Sequence, residues 1–159
     1  AWTMADLPAL RDATLIKIKT GRALLVGGEL DGESQRRTWI LDTSTQTVTA
    51  GPMLPIEGGI ADPSLRRSGS GILVVGGERR TAGRPSPPSG GAIIRLGRWN
   101  SWRLPAAPTV SIRTAILELP TGIEKIGGYR FDFDGEDRRR ARVFDGAESL
   151  RLVPVVIAD

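Results

Sequence analysis

A short apolar run that stops at two glycines occurs three times in 159 residues. "LLVGGE" stands at 24–29, "LVVGGE" at 73–78 and "EKIGGY" at 124–129. Gly27, Gly76 and Gly127 are 49 and 51 residues apart. An internal period of that size constrains the fold more than composition does, because every unit must be the same supersecondary structure. The doublets Gly27–Gly28, Gly76–Gly77 and Gly127–Gly128 are read as structural. Glycine reaches positive φ without a Cβ penalty and lets another backbone come close.

The surroundings of the doublets correspond as well. An apolar strand-like run precedes each, at 23–26, 72–75 and 123–126. A turn feeds it, and a further strand-like segment lies upstream, at 13–19, 60–67 and 111–119. "TLIKIK" and "TAILEL" show the alternation or β-branching expected of strands. After each doublet come a polar stretch, a third strand (38–41, 92–96, 141–144), a turn and a fourth strand (45–50, 99–104, 149–153). The third strands of units one and three run into "ILD" and "VFD". Pro55, Pro108 and Pro154 close the units.

Composition agrees with many turns and short strands. There are 20 glycines and 11 prolines, well above average usage. The longest apolar runs are strand-length, and none approaches the ~20 residues of a membrane helix, so no membrane span is expected. Cysteine is absent, which excludes a disulfide scaffold and thiolate metal sites and fits any compartment. Histidine is absent too, removing the commonest general base and metal ligand. The net charge is +4, with one basic cluster near the C-terminal end.

Four short strands per ~50 residues is the period of a kelch-type propeller blade. The stretch "GRALLVGGE…TWILDTSTQTVTAGPMLP" resembles a kelch repeat: apolar strand, Gly-Gly, spacer, aliphatic-Asp, fourth strand and Pro. The resemblance covers almost the whole chain. It implies an all-β fold, a kelch-like β-propeller segment of three four-stranded antiparallel blades with the ring incomplete. The units run at about 8–55, 56–108 and 109–154, in a single segment over 1–159. Residues 1–7, with Trp2, are expected to be a strand of a preceding blade, and "PVVIAD" the start of a further unit. Twelve to thirteen strands are expected. Propellers typically have four to eight blades. The open faces therefore imply a protein partner or a second copy that completes the propeller.

Candidate chemistry is sparse. Asp132, Asp134 and Glu136, with Gly135 for the turn, offer oxygens that can hold Ca²⁺. The spacing lacks a full EF-hand, and a solvated hairpin tip is the preferred reading, so no metal and no cofactor is expected. Arg138, Arg139 and Arg140 form the basic cluster, but acids directly precede them and cancel much of the charge. A solvated loop is preferred and nucleic acid is not expected as a partner. The Pro/Gly/Ser-rich stretch 79–91 reads as a long exposed loop, a candidate contact surface. Trp39, Trp99 and Trp102 read as packing residues first and as platforms for a sugar second. Arg11 and Arg113 lie near the starts of inner strands and are the charged groups nearest a central channel.

Kelch-like propellers include galactose oxidase and sialic acid mutarotases. The copper chemistry of the first needs His and a Cys-linked Tyr, neither of which can exist here. No catalytic residue is placed, and an enzymatic role is not favoured. Two functional readings remain. The first is a non-catalytic propeller segment, a protein-interaction or structural subunit of a larger assembly or longer chain. The second is part of a carbohydrate-binding or carbohydrate-active, mutarotase-like propeller.

Overall fold

The structure, a computed structural model, describes residues 7–104, 111–112, 115–119, 122–126, 129–133, 139–143 and 147–150. They form antiparallel β-sheets, with no helix among the described residues. Among the described residues no helix is long and apolar enough to cross a membrane.

Sheet I is built from β1 (Thr14–Lys19), β2 (Arg22–Val26), β5 (Thr38–Asp42) and β6 (Thr47–Ala50), in the order β1-β2-β5-β6. Sheet II repeats it with β7 (Ser64–Ser68), β8 (Gly71–Val75), β11 (Gly91–Arg95) and β12 (Asn100–Leu104). Each hairpin between the last two strands has a four-residue loop. Its last residue, Gln46 in one unit and Trp99 in the other, takes a left-handed φ of 56° and 50°. A bulky residue in that region is unusual. The shared loop geometry accounts for both.

Between the second and third strands of each unit sits a small hairpin. In unit one it is β3 (Glu29–Leu30) with β4 (Glu33–Ser34). In unit two it is β9 (Arg79–Thr81) with β10 (Arg84–Ser86). Both turn through two residues of positive φ, Asp31–Gly32 and Ala82–Gly83. That is the turn whose twist matches a hairpin, and Asp-Gly is among its strongest sequence signals. The stretch 79–91 is therefore partly a hairpin rather than one long loop. These extra hairpins raise the strand count among the described residues to 18, above the twelve to thirteen expected.

Unit three departs further from expectation. The described part of sheet III is three-stranded: β14 (Ala115–Leu119), β15 (Gly122–Ile126) and β18 (Ala147–Leu150), in that order. The segment expected as third strand, 141–144, instead contributes to β17 (Arg139–Val143). That strand pairs with β16 (Tyr129–Phe133). β16 pairs in turn with β13 (Ser111–Ile112). The hairpin after the doublet has grown to five-residue arms here, displacing the third strand to 147–150. The match between "ILD" and "VFD" misleads because it equates segments with different partners.

The sheets stack. Side chains alternate across a strand, so each strand serves two faces. In β2, Leu24 and Val26 point into a core completed from sheet II by Ile72, Val74, Ala92 and Ile94. Leu54, Ile56 and Ile60, from the connection between the sheets, fill the same core. The other face of β8, Leu73 and Val75, packs with Leu104, Ile93 and Ile116 of β14. Strand β8 is thus buried throughout, and its sequence, GILVV, is a continuous apolar run. The first strands neighbour one another in series, β1 beside β7 and β7 beside β14.

Candidate functional site

The residue after each of the first two doublets is a glutamate, and both are buried. Glu29 is 3 % exposed and Glu78 0 %. A buried carboxylate needs charged or hydrogen-bonding partners, and the repeat supplies them. Opposite Glu29 lies Arg11: the two exchange backbone hydrogen bonds, Arg11 N–H to the Glu29 carbonyl at 3.0 Å and the reverse at 2.7 Å. Arg11 Nη2 also donates to Glu29 Oε1 at 2.6 Å. Opposite Glu78 the same backbone bridge is made by Ala61.

Arg80, two residues beyond Glu78, joins the units. Its Nε donates to Glu78 Oε1 and its Nη1 to Asp12 Oδ2, the latter at 2.7 Å. Nη1 also donates to Glu29 Oε2. Its backbone N–H donates to Ser34 Oγ at 2.7 Å, and Ser34 Oγ in turn donates to the Glu78 carbonyl. The backbone follows the same junction. Asp12 and Asp62, one period apart, both have left-handed φ (52° and 49°), and the Asp62 N–H donates to the Asp12 carbonyl at 2.7 Å.

The first two glycine doublets lie at this junction. Gly27, Gly28, Gly76 and Gly77 have φ of 64°, 101°, 67° and 76°. The Gly28 N–H donates to the Ile60 carbonyl at 2.9 Å. A Cβ at Gly27 would stand 2.3 Å from that carbonyl oxygen, and one at Gly77 would stand 2.5 Å from the Ala61 carbonyl oxygen. Each doublet thus receives the backbone that starts the next unit or its own first strand. Gly127 and Gly128 lie outside the described residues.

The electrostatics make this cluster a clamp. The hydrogen bond from Arg80 is the largest influence on Glu29. With the charges of Arg80 and Arg11 it outweighs burial and holds the carboxyl below its ordinary value of 4.5. Burial weakens the Arg80 charge, but its bonds to Glu29, Glu78 and Asp12 outweigh that and raise its pKa. Glu29 therefore stays ionised with its oxygens occupied, which suits neither a proton donor nor a nucleophile. No group of three or more His, Cys, Asp or Glu among the described residues is arranged to hold a metal ion. Arg11 is the most exposed member, with a side chain 76 % exposed, and Asp12 also reaches solvent.

The other candidates do not converge on the clamp. Trp39 is buried on the face of sheet I turned away from sheet II, opposite Leu25 on β2. Trp99 is half-buried in the β11–β12 turn, against the first core. Trp102 is 54 % exposed on β12, with the Arg95 guanidinium 5.2 Å from its ring centroid. Arg139 and Arg140 lie on β17, opposite Phe133 and Asp132 of β16, so these arms are strand rather than loop. Asp134, Glu136, Arg138 and Arg113 lie outside the described residues. The bridge register places Ile112, not Arg113, in line with Arg11 and Ala61. The residues that sequence reasoning missed are Glu29, Glu78 and Arg80. The signal was the glutamate common to "LLVGGE" and "LVVGGE".

No protein-family profile and no curated protein matches the chain. It is similar to the solved structure of YjhT, with a TM-score of 0.58 and 13 % identity. The match covers 94 % of this chain and 54 % of that one. The likeness is one of fold. The chain spans about half the length of the YjhT chain.

Proposed function

We propose that the chain is a run of three kelch-like propeller units that works as a non-catalytic protein-interaction or structural subunit. Its outer sheet face is covered by further units of the same kind, from a partner or a second copy. One observation carries this reading. Counting back from the doublets, Leu15, Ala23, Leu25, Trp39 and Leu41 of sheet I occupy the positions of Leu65, Ile72, Val74, Ala92 and Ile94 of sheet II. In sheet II those positions all pack in the core against the preceding sheet. In sheet I they form an apolar face on which Trp39 is buried, Ala23, Leu25 and Leu41 are half-buried and Leu15 is 55 % exposed. A sheet patterned to be covered on both sides favours association, at about 25 cal/mol per Å² of apolar area removed from water.

The clamp supports the non-catalytic part. Its carboxylates are held by guanidinium groups in a structural ion network, and the network ties one unit to the next. Native mass spectrometry at low micromolar concentration tests the proposal. The expected species exceed the 17.1 kDa of one chain, or form only with a partner. Leu15→Lys is expected to shift them towards a folded single chain. A cooperative monomer with the same melting temperature in both proteins would overturn the reading.

A further inference from the structure

We infer that β6 is an acceptor edge for an extended peptide segment of a partner protein, which adds to sheet I as a fifth strand. The inference deepens the protein-binding reading above but depends on sheet I alone.

Among the described residues the sheet order ends at β6. The Gly51 N–H donates to the Thr38 carbonyl at 2.9 Å, which sets the phase of the antiparallel ladder with β5. Bonded and non-bonded pairs alternate, so Thr49 and Thr47 face β5 with their backbone groups. Val48 and Ala50 turn theirs outward, two residues apart, as an added strand requires.

The edge also lacks the usual protection. Native edges are blunted by charges, proline, bulges or covering loops. From Thr43 to Met53 there is no charged residue, and β6 contains no proline. The matching edge of sheet II, β12, carries Arg103 at the position of Ala50.

Each face of β6 is flanked by a groove. On the outer face, Trp39, Val48, Ala50 and Met53, together with the charged Arg37, line a groove of about 380 Å³. On the inner face, Ile40, Thr47, Thr49, Trp99 and the Arg22–Asp42 ion pair line one of about 350 Å³. An added strand sends successive side chains to opposite faces. The grooves therefore specify the occupant: apolar residues beside Trp39 and Met53, alternating with small hydroxyl or polar residues beside the threonines. A further sheet on the outer face would leave the Ala50 part of the edge reachable. In sheet II, packed on both faces, Arg103 at the position of Ala50 stays exposed, whereas Ser101 at the position of Val48 is half-buried and donates to the Met53 carbonyl of the preceding connection.

The experiment is selection from a random seven-residue peptide phage library on the immobilised folded chain. Enriched peptides are expected to alternate apolar and small polar residues. A synthetic peptide of the enriched sequence should bind at least tenfold more weakly to Ala50→Pro. Proline there removes an outward N–H and is compatible with an edge strand, so the melting temperature should hold. Ala50→Arg keeps the N–H and brings in the residue of β12; it should weaken binding too, and it serves if the proline variant fails to fold. Equal binding by wild type and variants would overturn the inference, as would no enrichment on folded wild type. A wild-type dimer that Ala50→Pro dissociates would assign the edge to a second copy and overturn it also. Native mass tests the scaffold reading and peptide binding tests the edge, so the two fail separately.

Discussion

Units one and two are the same design in two settings. Both have the doublet, the buried glutamate, the left-handed aspartate and a two-residue hairpin turn. Sheet II is enclosed, and β8 is buried at every position. In sheet I the equivalent strand, β2, alternates between buried and partly exposed residues. Clamp partners differ too: Glu29 faces Arg11, whereas Glu78 faces Ala61. The repeat fixes backbone geometry, and position in the series decides how much each side chain contributes.

The sharpest division is between the two arginines on Glu29. The Arg80 side chain is 16 % exposed and bonds three carboxylates; that of Arg11 is 76 % exposed and bonds one. Removing one partner from a buried ion network leaves uncompensated charge, at a cost of about 3–5 kcal/mol. Arg80→Met should lose that much in chemical denaturation. Arg11→Met should lose no more than about 1 kcal/mol, as exposed pairs do. Equal losses would break the distinction.

Next comes the apolar face. Ile94 is fully buried, whereas Leu41, its counterpart in sheet I, is half-buried. Ile94→Ala should cost about 2–5 kcal/mol. Leu41→Ala, measured on the dissociated single chain, should cost less than half as much. If the costs match, the outer face of sheet I is as well covered as that of sheet II.

The parts legible in the sequence were those that the repeat states locally. The runs before the doublets, the strand alternation in "TLIKIK" and the closing prolines placed the strands of sheets I and II within a few residues. The hairpin at Asp31–Gly32 has its Asp-Gly signal in the chain, but its two-residue arms are too short to show strand alternation. Unit three was harder, since spacer and third strand trade lengths and the single Asp shared by "ILD" and "VFD" carries no pairing information. The clamp could not be derived from spacing. Arg80 and Asp12 stand 68 residues apart, and only stacking of the sheets brings them to 2.7 Å.

A smaller effect separates two glycines of sheet II. Both have positive φ, Gly69 at 51° and Gly77 at 76°. A Cβ at Gly69 meets nothing within 4 Å, whereas one at Gly77 meets the Ala61 carbonyl oxygen at 2.5 Å. Gly69→Ala should cost only the left-handed penalty, about 1 kcal/mol. Gly77→Ala adds the clash and should reach about 2–3 kcal/mol. Melting curves that place the two variants together would show that the backbone at Ala61 yields.

The last expectation turns the same comparison into a pH dependence. Two carboxylates of unit one are held ionised. Glu29 is lowered chiefly by the hydrogen bond from Arg80. Asp42 is lowered well below its ordinary 3.8, first by the Ser44 hydroxyl and then by Arg22. In sheet II the position of Asp42 is Arg95, so that turn has no acid to protonate. A group whose folded pKa lies below its unfolded value stabilises the fold above the unfolded pKa. That contribution is lost as pH falls through the folded value. Stability should therefore be flat from pH 7 to about 5 and decline below about 4, where the unfolded chain takes up protons first. Glu29→Gln and Asp42→Asn should each make that acid limb shallower, by at most one proton. Hydrogen exchange at falling pH should show β2 and β5 losing protection before β8 and β11. Acid limbs of equal slope in wild type and both variants, or loss of sheet II first, would place the acid sensitivity elsewhere and end the claim that unit one is the more electrostatically held of the two.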